Sequence, residues 1–180
     1  MVRRGQAASR LGGLREARDR RRAATAREWL REVLATEPPA TTITAYWFGI
    51  FNPHDDDDNV GADVYVSGSA RFAGDINGED WNVSPAYWPE GRYADSRVLR
   101  ALYRRAYRGK RSLENDAEYP LALGYAAFAV AHLCRVIPPR LLLGSASERA
   151  VIVGFDDGDM VELGIVRADG LVLAPTNARA

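Results

Sequence analysis

The chain has 180 residues, 47% of them hydrophobic, a formal net charge of zero and a single cysteine, Cys134. This length predicts one globular domain, while a lone cysteine excludes an internal disulfide or a cysteine-rich zinc site and favours a reducing, cytoplasmic location. No run approaches the roughly 18 uninterrupted apolar residues of a membrane span, and the first residues lack the apolar core of a secretory signal.

The zero net charge hides an uneven distribution along the chain. Residues 1–35 carry ten arginines against four acidic residues, whereas residues 37–95 carry eleven acidic residues against two arginines. Residues 97–111 are basic again, with seven basic residues and no acidic one. Charge blocks of this kind concern partners and solubility more than fold.

The chain opens with a basic segment that has little to bury. Residues 1–24 are rich in arginine and glycine, so we expect a basic flexible arm. The first helical signal follows at Thr25, which stands at capping-box spacing from Glu28. Apolar residues then recur at helical spacing as far as Leu34. We therefore expect residues 25–180 to form a single domain.

Two predicted strands flank the most acidic stretch, FNPHDDDDNVGAD. Residues 41–51 are β-branched and aromatic, and their second half is apolar on both faces, which predicts a central strand. Residues 62–72 alternate, so we expect the face with Asp63, Tyr65 and Ser67 to contact solvent. Antiparallel pairing of the two strands leaves the four aspartates in a ten-residue loop, longer than hairpin loops usually are.

An irregular segment and two helices are predicted next. Residues 74–93 are rich in glycine and proline, and we expect their aromatic side chains to pin the segment. Residues 97–108 predict an amphipathic helix with a basic outer face. Residues 119–136 are apolar nearly all round, which predicts the most buried helix, with His132 as a hydrogen-bonded core residue. Cys134 points about 200° away from His132 on that helix, so the two do not form a nucleophile–base pair.

The last third of the chain predicts a meander. Residues 149–155 and 160–166 flank a DDGD turn, and a second turn at Asp169-Gly170 precedes an LVLA strand. Aspartates in such turns usually hydrogen-bond their own backbone. The order of elements predicts an α+β fold, with an antiparallel sheet of two hairpins or a meander packed against two to three helices on one face.

The acidic stretches do not match known metal or catalytic motifs. An EF-hand loop starting at Asp55 or Asp75 lacks the glycine at its sixth position and the glutamate at its twelfth. The sequence also lacks a Walker loop, a nucleophile elbow and the common zinc motifs. We expect no cofactor and no metal. A small carboxylate-dependent enzyme, with or without a divalent ion, stays open, because acid–base chemistry needs only two well-placed carboxylates.

Four stretches of the chain follow one another in the order DVYVSGSARF, DWNVSPAYWPEGRYADS, NDAEYPLALGYAAFAV and VGFDDGD. Taken together, they resemble uncharacterised bacterial α+β proteins of about this size. That group is associated with the immunity proteins that accompany polymorphic toxins. The resemblance spans residues 41–167 and omits the basic arm. Immunity proteins cover a toxin's active site, and many toxins are nucleases or deaminases with basic substrate grooves. The resemblance implies non-enzymatic binding of a basic toxin domain and carries over no catalytic residue.

An acidic surface with aromatic anchors suits a basic protein partner, since charge complementarity speeds encounter and aromatic side chains supply binding energy. We expect this surface on the loops at 52–63 and 75–93. Its predicted residues are Asp55, Asp56, Asp57, Asp58, Asp63, Asp75, Asp80, Trp81 and Trp88. Nucleic-acid binding through the basic arm or the helix at 97–108 is a further alternative, which the net negative charge of the remaining chain opposes. We expect no membrane partner.

Overall fold

The computed structural model describes residues 25–51, 63–78, 81–107, 119–156 and 159–175. Its helices are α1 (Ala26–Thr36), α2 (Arg97–Tyr107), α3 (Gly124–Val136) and α4 (Pro139–Leu143), and a π-helical turn at Tyr119–Leu123 leads into α3. Its strands are β1 (Ala45–Phe51), β2 (Asp63–Ser69), β3 (Tyr93–Asp95), β4 (Arg149–Phe155), β5 (Met160–Arg167) and β6 (Gly170–Leu173). The predicted α+β class is confirmed. The predicted basic arm lies outside the described residues.

The six described strands form one sheet in the order β3-β2-β1-β4-β5-β6. Both predicted units are present with antiparallel pairing, namely the β1–β2 hairpin and the β4–β5–β6 meander. A parallel pairing of β1 with β4 joins them, which the prediction of an antiparallel sheet did not include. Parallel neighbours need a long crossover connection, and here that connection contains all of α2, α3 and α4. The sheet is therefore mixed and mostly antiparallel.

The larger core lies between the helices and one face of the sheet. The helices contribute Trp29, Leu30, Val33, Leu99, Val130 and Leu133, and the strands contribute Tyr46, Phe48, Val66, Val151, Val153 and Val166. Burial of this apolar surface is the main favourable contribution to folding. The prediction that helices cover one face of the sheet is confirmed.

Two helices begin with local capping hydrogen bonds, the first of which is the predicted capping box at Thr25. At α1, the Glu28 amide donates to Thr25 Oγ1 at 3.2 Å and the Thr25 amide donates to Glu28 Oε2 at 2.8 Å, which completes the capping box. The bonds from the Thr25 backbone and side chain lower the pKa of Glu28. At α2, the Leu99 amide donates to Ser96 Oγ at 3.2 Å. Both predicted starts are confirmed.

Helix α3 packs on the core along one side and faces solvent on the other. Its buried residues are Ala126, Val130, Leu133 and Cys134. Phe128 is 82% exposed, and His132 lies one turn further along the same exposed side. The prediction of a core histidine at position 132 is therefore wrong. Burial raises the pKa of the Cys134 thiol to about 12, as expected for an unreactive interior thiol.

No helix in the described part of the chain is long and apolar enough to cross a membrane.

The opposite face of the sheet is covered by the irregular segment that follows β2. A second, smaller core forms there from Ala45, Trp47, Tyr65, Phe72, Trp81, Ala150 and Ile152. The prediction that Tyr65 and Ser67 contact solvent is wrong, since they are 8% and 2% exposed. The reason is that Phe72 and Trp81 fold back over this face, with their ring centroids 5.0 Å apart.

Side chains of the irregular segment and of α1 pin the segment in place, as predicted for its aromatic residues. The Trp29 indole donates to the Gly91 carbonyl at 2.8 Å. The Tyr87 hydroxyl donates to the Glu37 carbonyl at 2.8 Å, and the Glu37 carboxylate accepts from the Glu90 amide at 3.0 Å. These bonds fix the turn at residues 89–91, immediately before β3.

Candidate functional site

Two glycines allow aromatic rings to lie close to the sheet on the face that carries the second core. Gly49 of β1 and Gly154 of β4 are direct partners in the parallel register. A Cβ at position 49 would overlap the Tyr65 ring, and a Cβ at position 154 would lie 2.5 Å from Trp47 Cη2. Glycine inside a strand often marks such a close approach. The pair of glycines therefore positions Tyr65 and Trp47 side by side against the sheet.

The hydroxyl of Tyr65 links the interior to a surface carboxylate. It accepts a hydrogen bond from Trp47 Nε1 at 2.9 Å and donates one to Asp156 Oδ1 at 2.5 Å. Desolvation by burial, followed by the bond to Asp156, raises the pKa of Tyr65 above its ordinary value. Tyr65 is thus a neutral donor at physiological pH, and it holds the exposed carboxylate of Asp156 in a fixed position.

An aromatic platform lies beside this network, formed by Tyr65, Trp88, Arg92 and Tyr93. The β2–β3 register places Tyr65 opposite Tyr93, with ring centroids 5.8 Å apart, and Trp88 lies 5.6 Å from Tyr65. The Arg92 guanidinium carbon lies 4.3 Å from the Trp88 ring centroid and 4.7 Å from that of Tyr93. Trp88 and Tyr93 are 46% and 39% exposed. The platform therefore presents two aromatic rings to solvent with a cation stacked on both.

Arg92 is held by its backbone neighbourhood as well as by the rings. Its Nη1 donates to the Pro89 carbonyl at 3.0 Å, and its own carbonyl accepts from the Val66 amide at 3.1 Å. A guanidinium over an aromatic face contributes about 0.5–1 kcal/mol at exposed sites. Since both rings contact the same guanidinium, the platform is arranged before any partner arrives.

Acidic residues from separate segments reach the end of the sheet nearest the platform. Phe51, the last residue of β1, pairs with Asp63, and Asp63 also pairs with Asp95 of β3. Strand β4 ends at the same end of the sheet, where the turn after it carries Asp156 and Asp159. We name this region, with Asp63, Asp156 and Asp159, the acidic end; the carboxylate of Asp95 at the same end is paired with Arg100. Within the described ranges, no three His, Cys, Asp or Glu side chains come together to hold a metal ion.

The predicted binding residues fall in different places. Asp55, Asp56, Asp57, Asp58 and Asp80 lie outside the described residues. Asp63 begins β2 at the acidic end. Trp88 is part of the platform and is exposed to solvent.

The other two predicted residues lie away from the platform. Asp75 is exposed and accepts from the Asn77 amide at 2.9 Å, which closes a turn. Trp81 is only 3% exposed, with its ring 5.9 Å from that of Trp47. Trp81 is therefore a core residue in this structure and offers little surface to a partner.

A groove of about 580 Å³ opens on the same face of the sheet, on the far side of the second core from the platform. One wall is the turn at Gly74–Asn77, and the floor is formed by β5 and β6. The apolar lining residues include Met160, Ile165 and Val172, and the charged ones are Asp75, Glu162 and Arg167. This volume lies within the range of ligand-binding clefts.

Four residues of the aromatic platform and the acidic end were not among the predicted binding residues. They are Tyr65, Arg92, Tyr93 and Asp156. Glycine at positions 49 and 154, inside predicted strands, was the available signal for a close ring contact.

Comparison with protein-family models, with curated proteins and with solved structures gives no match for this chain.

Proposed function

We propose that this protein is a non-enzymatic binding module that recognises a basic protein partner. Its binding surface is the aromatic platform together with the acidic end of the sheet. The observation that carries the proposal is the stack of Arg92 between the exposed rings of Trp88 and Tyr93.

Tryptophan, tyrosine and arginine are the residues that most often dominate the binding energy of protein interfaces. The platform contains all three, and its rings are fixed by mutual contacts and by the turn at residues 89–91. A surface that is ordered before binding loses little side-chain freedom on association. Each side chain that is already immobilised avoids a free-energy cost of about 0.5–1.5 kcal/mol. The platform is therefore suited to act as the central anchor of an interface.

Charge indicates the kind of partner. The platform lies next to Asp156, which Tyr65 holds in place, and Asp159 is exposed in the same turn. Across residues 37–95 the sequence has eleven acidic residues and two arginines. An excess of carboxylates attracts a basic partner, and complementary charges raise the association rate more than they raise affinity.

The resemblance to immunity-type proteins of polymorphic toxin systems adds a class of partner. A toxin domain that acts on nucleic acid presents a basic groove, and a protein that covers this groove prevents substrate from entering. Neutralisation of such a toxin domain is the specific form of the proposal. It requires binding only, and no catalytic group from this chain.

Growth rescue by co-expression tests the proposal. The product of the gene next to this one is expressed alone and together with the wild-type chain or the double variant Trp88→Ala/Tyr93→Ala. We expect the neighbouring product to arrest growth, the wild type to restore it, and the double variant to fail.

Phe128→Ala is the matched control, because Phe128 is an exposed aromatic residue on α3 rather than on the platform. We expect it to rescue as well as the wild type. Rescue by the double variant, or loss of rescue in the control alone, contradicts the assignment of the binding surface. Absence of growth arrest by the neighbouring product contradicts the immunity form of the proposal.

A further inference from the structure

The groove lies along an edge of the sheet where backbone is left unpaired. Strand β6 pairs with β5 only between Gly164 and Arg167, and Ala174 adds one more bond to the Leu163 carbonyl at 2.9 Å. In the described part of the chain, no strand lies beyond β6. Val172 is 47% exposed on this edge strand. An exposed edge of this kind accepts an extended peptide as an added strand.

Glu162 is the carboxylate on the floor of the groove. Its pairing with Ile152 places it on the face of the sheet that carries the second core, and it is partly buried. Among the described residues it makes no hydrogen bond or ion pair. A carboxylate that is partly removed from water without a partner is less well solvated than a free one, so a cation that pairs with it recovers the lost interaction.

The remaining charged residues leave the lining negative. Asp75 stands on the opposite wall, and among the described residues its side chain bonds only the Asn77 amide in its own turn. Arg167, the basic residue that lines the groove, pairs with Glu148 at 3.0 Å. Two carboxylates, Glu162 and Asp75, therefore line the groove with one guanidinium, which is already paired with Glu148.

We propose that this groove binds an extended peptide segment and takes up one of its lysine or arginine side chains. The aliphatic stem lies along Met160 and Ile165, and the charged head pairs with Glu162. Long basic side chains bury their methylene groups on apolar surface while the head finds a carboxylate. This site is separate from the aromatic platform, and it does not depend on the identity of the partner that binds there.

The test is an NMR titration of the full-length, isotope-labelled chain with two blocked pentapeptides. One is acetyl-Ala-Val-Lys-Val-Ala-amide, and the other carries norleucine in place of lysine, so that the two peptides differ only in the terminal ammonium group. We expect the lysine peptide to bind about ten-fold more tightly, the gain typical of one charge-assisted hydrogen bond. The shifted resonances should belong to residues 74–77 and 160–174.

Two variants locate the charge effect. Glu162→Gln should bring the lysine and norleucine peptides to equal affinity, whereas Glu32→Gln, on the exposed side of α1, should leave the difference unchanged. As a check that needs no variant, added salt should weaken only the lysine peptide.

Three results contradict the proposal. They are equal affinity of the two peptides for the wild type, shifts that map outside the groove, and no response to the lysine peptide at millimolar concentration. Each can occur whether or not the platform variants abolish growth rescue, so the two proposals fail separately.

Discussion

The ring of Tyr65 lies directly over Gly49, its partner in the β1–β2 register, so closely that no side chain fits at position 49. Gly49→Ala should push the ring away and break the hydrogen bonds of Tyr65 to Trp47 and Asp156. We expect the free energy of unfolding to fall by about 2 kcal/mol or more, the combined effect of overpacking and two lost bonds. Denaturant unfolding measures this change.

Gly124→Ala is the control for that substitution, since a Cβ at position 124 meets no atom within 4 Å. In a helix the change from glycine to alanine should stabilise by up to about 1 kcal/mol. Equal stability of Gly49→Ala and wild type would show that the ring has room to move, and that glycine is not required at position 49.

Arg149 is fully buried and holds three parts of the chain together. Its Nη1 donates to Tyr46 Oη and to the Leu142 carbonyl, both at 3.0 Å, and its Nη2 donates to the Ala40 carbonyl at 2.7 Å. Arg149→Met should remove one donor from each of these three acceptors, although the Leu142 carbonyl keeps its bond from the Tyr46 hydroxyl and the Ala40 carbonyl keeps its bond from the Ile43 amide. We expect the free energy of unfolding to fall by about 3 kcal/mol or more, because three buried hydrogen bonds from a charged donor are lost.

The exposed Arg140 in α4 provides the comparison for Arg149. Arg140→Met should change stability by less than about 0.5 kcal/mol in the same unfolding experiment, as is usual for surface positions. If the two variants are equally stable, water or a local shift satisfies the acceptors, and Arg149 does not hold these segments together.

Alkaline pH should destabilise the protein through Cys134. Burial raises the pKa of this thiol from 9.0 to about 12, so the folded state keeps the proton that the unfolded state releases. The stabilisation is fully present below pH 9 and is lost as the pH rises from there towards the folded value. Buried Tyr46, Tyr65 and Tyr87 act in the same direction, above pH 10.

The variant Cys134→Ala separates the contribution of the thiol to this loss of stability from that of the tyrosines. Urea unfolding of Cys134→Ala should give a flatter decline in stability than wild type between about pH 9 and pH 10, where the unfolded thiol ionises before the tyrosines do. Parallel curves for the two proteins would mean that the thiol is not protected by burial.

Glu37 positions the platform from a distance. Its carboxylate accepts from the amides of Glu90 and Gly91, in the turn before Arg92. Glu37→Ala should speed hydrogen exchange at these two amides and cost about 1 kcal/mol of stability, the typical net contribution of such bonds. Glu32→Ala, in the preceding helix α1, should leave exchange at both amides unchanged. Unchanged exchange in Glu37→Ala would show that the turn is held without this carboxylate.

Much of the fold followed from the sequence because its signals are local. The capping box at Thr25 needs only Glu28, and each predicted hairpin joins neighbouring strands. The parallel pairing of β1 with β4 could not be predicted in the same way, because the partners are separated by three helices and carry no short-range signal for pairing.

The site was harder to predict because it depends on contacts between distant segments. The alternation of polar and apolar residues in β2 predicted that Tyr65 faces solvent. In the structure, the later segment that carries Trp81 covers that face. Trp81 and Trp88 look alike in the sequence, yet one is buried and the other exposed. Their different exposure follows from the contacts of the folded chain and could not be predicted from the sequence.

The central claim is that the platform is the binding surface. Its most direct test is the affinity of this protein for the neighbouring gene's product. Dissociation constants are compared for wild type, Trp88→Ala, Tyr93→Ala and Phe128→Ala, after equal melting temperatures show that each variant is folded. We predict that each platform variant weakens binding by about ten-fold or more, as for interface hot spots, and that Phe128→Ala changes it by less than about two-fold. Unchanged affinity in both platform variants, with a loss in Phe128→Ala, would place the interface on the helical side and contradict the claim.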